Sequence, residues 1–204
     1  MTTVYIIRHA EKEKGDFFNP HLRHRDQPIT LNGKLDSQNL WRFFADKSIS
    51  AIYVSEYIRT AQTIEYVASQ LNISPIIDGR LNEIDNGLFD RMSTLEELQQ
   101  TFPEEWKSML ERKHDFRFPE GETGEEARAR IAEILEEKRI AHESGNIIFV
   151  THEGLIRTLM CHIMNRPVYH RGNFHVDLCG IMEITYQPEY NTWKLIHFNQ
   201  SMSA

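Results

Sequence analysis

The stretch VYIIRHAE, residues 4–11, passes from an apolar run to charged residues within one position. Its first four residues, apolar and rich in β-branched side chains, are typical of a buried strand. Arg8 and His9 then follow the end of that strand, at the edge where open α/β sheets bind ligands. The same order recurs in IIFVTHEG, residues 147–154, which contributes His152. A fold that joins the two strand ends would place two histidines and an arginine in one pocket.

Composition restricts the class of protein. The chain has 204 residues, of which 40% are hydrophobic and 26% are charged, as in one sizeable globular domain. A formal net charge of -7 disfavours a nucleic-acid-binding function, which usually needs a basic face. Cys161 and Cys179 form neither a disulfide framework nor a metal motif, which favours the reducing cytoplasm. No apolar stretch is long enough for a membrane span or a signal peptide, so no membrane partner is expected.

Apolar runs and helical periodicity alternate along the chain. The helical pattern is clear over 31–46 and 57–71. Strands that alternate with helices indicate a mainly parallel sheet covered on both faces. The last two strands are separated only by 187–192, which predicts an antiparallel hairpin at the sheet edge. The predicted strands are 4–7, 51–54, 75–77, 147–150, 181–186 and 193–197.

Two capping boxes predict helix starts in the middle of the chain, at 93–96 and 123–126. The second opens a long helix, in which Glu126 and Arg130 have the spacing of an i,i+4 ion pair. Gly145 suits the end of that helix.

The segment 80–119 carries no clear strand signal, and 106–113 has the pattern of a short helix. We therefore expect 80–119 to form a helical insertion that caps the carboxyl edge of the sheet. The whole chain, 1–204, is expected to form a single domain around that sheet.

Other residues with useful chemistry follow the strands. Ser55 ends the second strand, and Arg59 lies one turn into the next helix, where free N–H groups and the helix dipole favour an anion. The plain alternative is a capping serine and a surface arginine. Glu83 is either the partner of an arginine or a general acid with a raised pKa. Gly154 permits close backbone approach at the turn that follows His152.

Taken in order, these residues resemble the histidine phosphatase superfamily, also called the phosphoglycerate mutase-like family. The resemblance extends over nearly the whole chain and rests on an ordered set of motifs. It implies a three-layer α/β/α sandwich with a mainly parallel central sheet, and a phosphohistidine intermediate. The matching motifs are Arg8-His9-Ala10-Glu11, Leu31 with Gly33, Ser55-x-x-x-Arg59-Thr60-x-Gln62-Thr63, Leu81-x-Glu83, Pro119-Glu120-Gly121-Glu122-Thr123 and Val150-Thr151-His152-Glu153-Gly154.

The resemblance also implies roles for five residues. His9 is the expected nucleophile, and Arg8 and Arg59 are the expected clamps on the phosphoryl oxygens. His152, in its protonated form, is expected to add a third cationic donor. Glu83 is expected to protonate the leaving oxygen and then to activate water. Three positive groups supply the electrostatic stabilisation that phosphoryl transfer needs, so no metal and no cofactor are expected.

Two departures from the family pattern concern the substrate side. Residues 12–28 lack the Ser-x-Trp-Asn stretch of phosphoglycerate mutases, and Arg91 stands where a glycine is usual. The first departure weakens a mutase assignment, and the second changes the loop that caps the site. His21, Arg23 and Asn173 are candidate residues of the substrate pocket.

These features predict a phosphomonoester hydrolase that acts on a small phosphorylated metabolite. The close alternative is a cofactor-dependent phosphoglycerate mutase, in which a second substrate takes the phosphoryl group instead of water. A phosphoprotein or phosphohistidine phosphatase fits less well, because the expected cap would exclude a bulky substrate. A catalytically inactive binding module is disfavoured by the complete set of site residues. The sequence names neither the substrate nor the oligomeric state.

Overall fold

The computed structural model describes residues 1–92 and 94–202, in which six strands form one mixed sheet. The strands are β1 (Thr3–Arg8), β2 (Ile49–Val54), β3 (Ile76–Ile77), β4 (Asn146–Thr151), β5 (Ile181–Gln187) and β6 (Thr192–Gln200). Their order across the sheet is β3-β2-β4-β1-β5-β6. The first four in that order pair in parallel, whereas β5 and β6 run antiparallel at one edge. The predicted strands and the predicted edge hairpin are confirmed.

Within the described residues, seven α-helices flank the sheet. They are α1 (Leu31–Gln38), α2 (Trp41–Phe44), α3 (Ile58–Leu71), α4 (Leu95–Thr101), α5 (Pro103–Glu111), α6 (Gly124–Ala141) and α7 (Glu153–Ile163). Short 3-10 turns lie at Gly79–Leu81, Gly87–Arg91, Val168–Asn173 and Pro188–Tyr190. In this part of the chain, no helix is both long enough and apolar enough to cross a membrane.

Alternate residues of the central strands enter two separate hydrophobic clusters. On one face, Ile6 and Phe149 belong to the cluster that contains Leu159 of α7. On the other face, Val150 belongs to the cluster that contains Ile64 of α3. A strand covered on both faces has to be apolar throughout, which explains the short continuous apolar runs of β1 and β4. The predicted three-layer α/β/α fold is confirmed.

The pairing of β1 with β4 determines where the candidate site lies. Arg8 pairs with Thr151, so the two strands end at the same level. The His9 N–H donates to the Thr151 carbonyl at 2.9 Å, and His152 follows directly. On the other side of β4, β2 ends at the same edge and delivers Ser55. The two histidine motifs therefore meet at one edge, as the sequence predicts.

The helix predicted over 31–46 is two helices, because the backbone between them forms a tighter turn with hydrogen bonds three residues apart. The N–H groups of Asn39 and Leu40 bond only three residues back, to the carbonyls of Asp36 and Ser37. This tighter turn ends α1 and leaves Leu40 fully buried in the core.

Two helix starts also differ from those predicted. The helix expected at 106–113 begins at Pro103, whose fixed φ and missing N–H suit the first turn of a helix. At the capping box expected for 93–96, Ser93 lies outside the described residues. Thr94 is the N-cap of α4, with its side chain accepting a backbone N–H.

At the start of α6, the capping box between Thr123 and Glu126 is confirmed. The ion pair predicted between Glu126 and Arg130 is wrong. The guanidinium of Arg130 contacts the Glu122 carboxylate at 2.6 Å and donates to three backbone carbonyls within 80–83. The Arg130 side chain is only 20% exposed, and its guanidinium has five N–H donors. One carboxylate on the helix surface cannot accept from all of them.

Gly87 has a left-handed φ of +56°, and a Cβ at this position would collide with the Pro119 carbonyl. We expect Gly87→Ala to lower the free energy of unfolding by about 1–3 kcal/mol, because the backbone has to shift. Urea denaturation measures this loss. Gly79→Ala is the control, since its Cβ would meet only the mobile end of the Glu56 side chain at 3.1 Å. Equal losses in both variants would contradict this explanation.

Candidate active site

His9 lies just past β1, and only 6% of the residue is exposed. Its Nδ1 lies 2.8 Å from the Ala10 carbonyl oxygen. Because a carbonyl only accepts, Nδ1 carries the proton and Nε2 keeps its lone pair. Burial, followed by the charge of Arg59, lowers the pKa of His9 to about 3. At neutral pH the side chain is an uncharged imidazole with an unprotonated Nε2.

His152 is fully buried before α7, and its ring centre lies 5.1 Å from that of His9. Its Nδ1 accepts from Arg59 Nη2 at 3.1 Å, since a guanidinium only donates. Its Nε2 therefore carries the proton and donates to Ser55 Oγ at 2.9 Å. Burial and the nearby Arg59 hold the pKa of His152 well below its usual range. The structure thus has a neutral ring where the sequence suggests a cationic donor.

Arg59 reaches back from the first turn of α3 over the sheet edge, and only 5% of it is exposed. Its guanidinium lies over the Tyr57 ring, 4.3 Å from the ring centre. Within the described residues, Nε and Nη1 of Arg59 have no hydrogen-bond partner. Buried donors without acceptors are unfavourable, so this arginine is arranged to receive an anion.

Arg8, at the end of β1, contributes a second guanidinium to this edge of the sheet. Its Nη1 donates to the Val176 carbonyl at 2.5 Å, and its Nη2 lies 2.9 Å from a Glu153 carboxylate oxygen. Its Nε is buried without a partner among the described residues. Two contacts therefore fix the guanidinium and leave Nε, among its five N–H donors, without an acceptor in the described part of the chain.

Glu83 lies against the N-terminal end of α7. Its carboxylate accepts the N–H groups of Ile84 at 2.9 Å, Leu155 at 3.1 Å and Gly154 at 3.2 Å. The close approach predicted at Gly154 is confirmed, because a Cβ there would lie 2.7 Å from Glu83 Oε1. Burial raises the pKa of Glu83, although the three N–H groups favour its anion. The carboxyl group therefore keeps its proton to a higher pH than an exposed glutamate.

A cavity of about 650 Å³ opens between the loop 12–28 and the 3-10 turn Gly87–Arg91. The Asp85 carboxylate ties the two walls together, with one oxygen 2.8 Å from Arg23 and the other 2.8 Å from His24. The residues that line the cavity include Arg8, His9, Arg59 and Glu83. Within the described chain, no group of three or more His, Cys, Asp or Glu residues is arranged to hold a metal ion.

Of the three candidate pocket residues, Arg23 lines this cavity, and the other two do not. His21 is exposed on the loop, and Asn173 faces Arg112 at 3.4 Å. The type of a residue does not determine the direction in which its loop turns. The predictions for His21 and Asn173 are wrong for this reason. Lys12 also lines the cavity, although it is not among the pocket residues predicted from the sequence. Its one sequence signal is that it directly follows the Arg-His-Ala-Glu motif.

These contacts define an α/β protein whose sheet edge holds a neutral histidine beside two arginines with buried donors that are unpaired among the described residues. The family model of the histidine phosphatase superfamily (branch 1) matches residues 4–200. The chain belongs to this superfamily, and the predicted family is confirmed.

Curated relatives and solved structures agree with this family. The chain is 28% identical over 180 residues to phosphoserine phosphatase 1 of Hydrogenobacter thermophilus, covering 87% of this chain and 83% of that protein. It is also 28% identical over 193 residues to "Probable phosphoglycerate mutase GpmB" of Proteus mirabilis, covering 92% and 86%. The alpha-ribazole phosphatase structure from Shigella flexneri superposes with a TM-score of 0.78 at 23% identity, covering 97% and 96%. This last likeness supports the fold.

The low pKa of His9 makes stability depend on pH. The unfolded chain binds a proton at His9 below the ordinary value of 6.5, whereas the folded protein does so only near about 3. The unfolded state therefore binds more protons between these values, so stability falls as pH falls. We expect His9→Gln to reduce the slope of unfolding free energy against pH by about 1.4 kcal/mol per pH unit, between about pH 4 and 5.5.

Urea denaturation at several pH values measures that slope. His21→Gln is the matched control, because His21 is exposed on the loop. A slope in His9→Gln equal to that of the wild type would show that His9 is not held neutral in the folded protein.

Proposed function

We propose that the protein is a phosphomonoester hydrolase that acts on a small phosphorylated metabolite through a phosphohistidine intermediate. One observation carries the proposal. A neutral His9 with an unprotonated Nε2 lies in the same cavity as two arginines that have unpaired buried donors. A nucleophile without charge and preorganised donors for phosphoryl oxygens are the main requirements of this chemistry.

In the first step, His9 Nε2 attacks phosphorus, the N–P bond forms, and the P–O bond to the leaving group breaks. Arg8 and Arg59 donate to the phosphoryl oxygens and stabilise their charge. The Glu83 carboxyl gives its proton to the leaving oxygen, which its raised pKa favours. His152 positions Arg59 through the contact at Nδ1.

In the second step, the Glu83 carboxylate takes a proton from water, and the water oxygen attacks phosphorus. The N–P bond breaks, so inorganic phosphate leaves and His9 returns to its neutral form. The three backbone N–H groups at Glu83 stabilise the anion that this step requires. In this scheme the cations of the chain neutralise the phosphoryl charge, so the reaction is proposed to need no metal and no cofactor.

The small size of the substrate is inferred from the walls of the cavity. We propose that 80–119 acts as a cap within a single domain, 1–204, since Asp85 ties this segment to the loop 12–28. A protein substrate would have to pass between these two walls. The net charge of -7 supports the absence of a nucleic-acid partner. A cytoplasmic location stays a prediction from Cys161 and Cys179, which are unpaired in the structure.

A phosphoglycerate mutase is the second candidate, because a curated relative at 28% identity carries that name. A mutase would pass the phosphoryl group from His9 to a second hydroxyl, with the same arginines. Hydrolysis of an aryl phosphate without added bisphosphoglycerate separates the two functions, since only a hydrolase turns over under those conditions at a sustained rate.

We expect the wild-type protein to hydrolyse p-nitrophenyl phosphate in the presence of EDTA, and His9→Ala to lose this activity. The reason is that no other group in the scheme can form the covalent intermediate. Release of p-nitrophenolate is the measurement. Sustained hydrolysis by His9→Ala would sink the mechanism, and loss of wild-type activity in EDTA would show that a metal takes part.

The role of Glu83 predicts a dependence on the leaving group. Glu83→Gln should lower kcat/KM for an alkyl phosphate by about 10²–10⁴, because an alkoxide needs a proton as it departs. For p-nitrophenyl phosphate the loss should be less than about 10-fold, since its leaving group departs as a stable anion. Steady-state kinetics with both substrates tests this. Glu56→Gln, which changes an exposed carboxylate, is the control. Equal losses on the two substrates would remove Glu83 from the proton-donor role.

A further inference from the structure

The cations around the cavity differ in whether they are paired. Three of them face a carboxylate: Arg8 meets Glu153, Arg23 meets Asp85, and Arg25 meets Asp16. Three cavity cations meet no carboxylate within 4 Å among the described residues, and they are Lys12, Arg59 and Arg91. Arg59 already serves the anion site, so the other two need an explanation.

Lys12 is held at the cavity by its backbone. It forms a strand-like bridge with Ile29, and both neighbouring positions bond to the same segment. The Glu13 N–H donates to the Pro28 carbonyl at 2.8 Å, and the Thr30 N–H donates to the Glu11 carbonyl at 2.8 Å. The loop 12–28 thus begins from a fixed point, three residues after His9.

The side chain of Lys12 is oriented without being neutralised. Its Nζ lies 3.4 Å from the amide oxygen of Gln27, which is a buried residue. A neutral amide accepts one ammonium N–H and leaves the positive charge uncompensated. Two of the three ammonium donors are therefore left for a ligand.

Lys12 lies three residues after His9, whereas Arg91 lies on the 3-10 turn of the other wall of the cavity. Lys12 is among the charges that lower the pKa of His9 and of His152. The pKa of Lys12 itself is lowered, first by burial and next by Arg59. A cation crowded by other cations is stabilised when an anion binds among them. Lys12 and Arg91 are both exposed, so exposure does not distinguish them.

We propose that Lys12 is a third cationic contact to the transferring phosphoryl group, together with Arg8 and Arg59. The inference rests on the proposed function, since it needs phosphate to bind at His9. Lys12 supplies the positive charge that the neutral His152 lacks. It takes no part in bond making or breaking, and its ammonium donates to a phosphoryl oxygen whose charge has to be stabilised.

The test compares Lys12→Met and Lys12→Arg with the wild type. Two quantities are measured, kcat/KM for p-nitrophenyl phosphate and the inhibition constant of inorganic phosphate. We expect Lys12→Met to worsen each by about 10- to 100-fold, the range for losing one charge-assisted contact. Lys12→Arg should recover most of both, because it keeps the charge. Lys34→Met is the matched control, since Lys34 is exposed on α1 and does not line the cavity.

Thermal unfolding of each variant accompanies the kinetics, and we expect unchanged midpoints for Lys12→Met and Lys34→Met. A phosphate inhibition constant at the wild-type value in Lys12→Met would overturn the proposal. A loss of kcat/KM that appears only with substrates carrying a second anionic group would also overturn the proposal. Lys12 would then contact the leaving group rather than the transferring phosphoryl group.

Failure of the proposed function gives a different result. If His9→Ala keeps wild-type turnover, the hydrolase mechanism fails whatever Lys12 does. If the wild type shows no turnover, equilibrium dialysis of inorganic phosphate still compares wild type with Lys12→Met, and equal binding would overturn the role of Lys12.

Discussion

The parallel pairing of β1 with β4 is the constraint on which the candidate site depends. Arg8 lies opposite Thr151, and the two histidines follow their strands directly at the same edge. Side chains alternate between the faces of a sheet, so a shift of one residue would move His9 away from His152. This register sets the separation of the His9 and His152 rings, and the helices pack around it.

Burial beside arginines then determines the charge of the site. A low-dielectric pocket that already holds Arg8 and Arg59 disfavours any further positive charge on an imidazole. Both rings are therefore neutral, and each has a defined tautomer because its partner can only accept or only donate. The positive charge of the site lies on the arginines, which stay protonated at neutral pH, and the Nε2 lone pair of His9 stays free.

The N-terminus of α7 links the sheet to the segment around Glu83. It begins at the same turn as His152, and its free N–H groups hold the Glu83 carboxylate. Arg130 fixes the backbone around Glu83 from the side of α6. One turn of helix thus sets the position of Glu83 relative to His9.

The sequence by itself determined the strands, the order of the motifs and the family, because apolar periodicity and short motifs are local properties of the chain. It also identified Arg8, His9, Arg59, Glu83 and His152, which the fold brings together at one edge of the sheet. Only the tertiary structure decided which donors stay unpaired. Arg130 contacts partners outside its helix, and His152 is neutral. Lys12 lines the cavity, whereas His21 and Asn173 do not. Pairing, burial and the direction of a loop depend on contacts between residues far apart in sequence. Local sequence patterns do not determine such contacts.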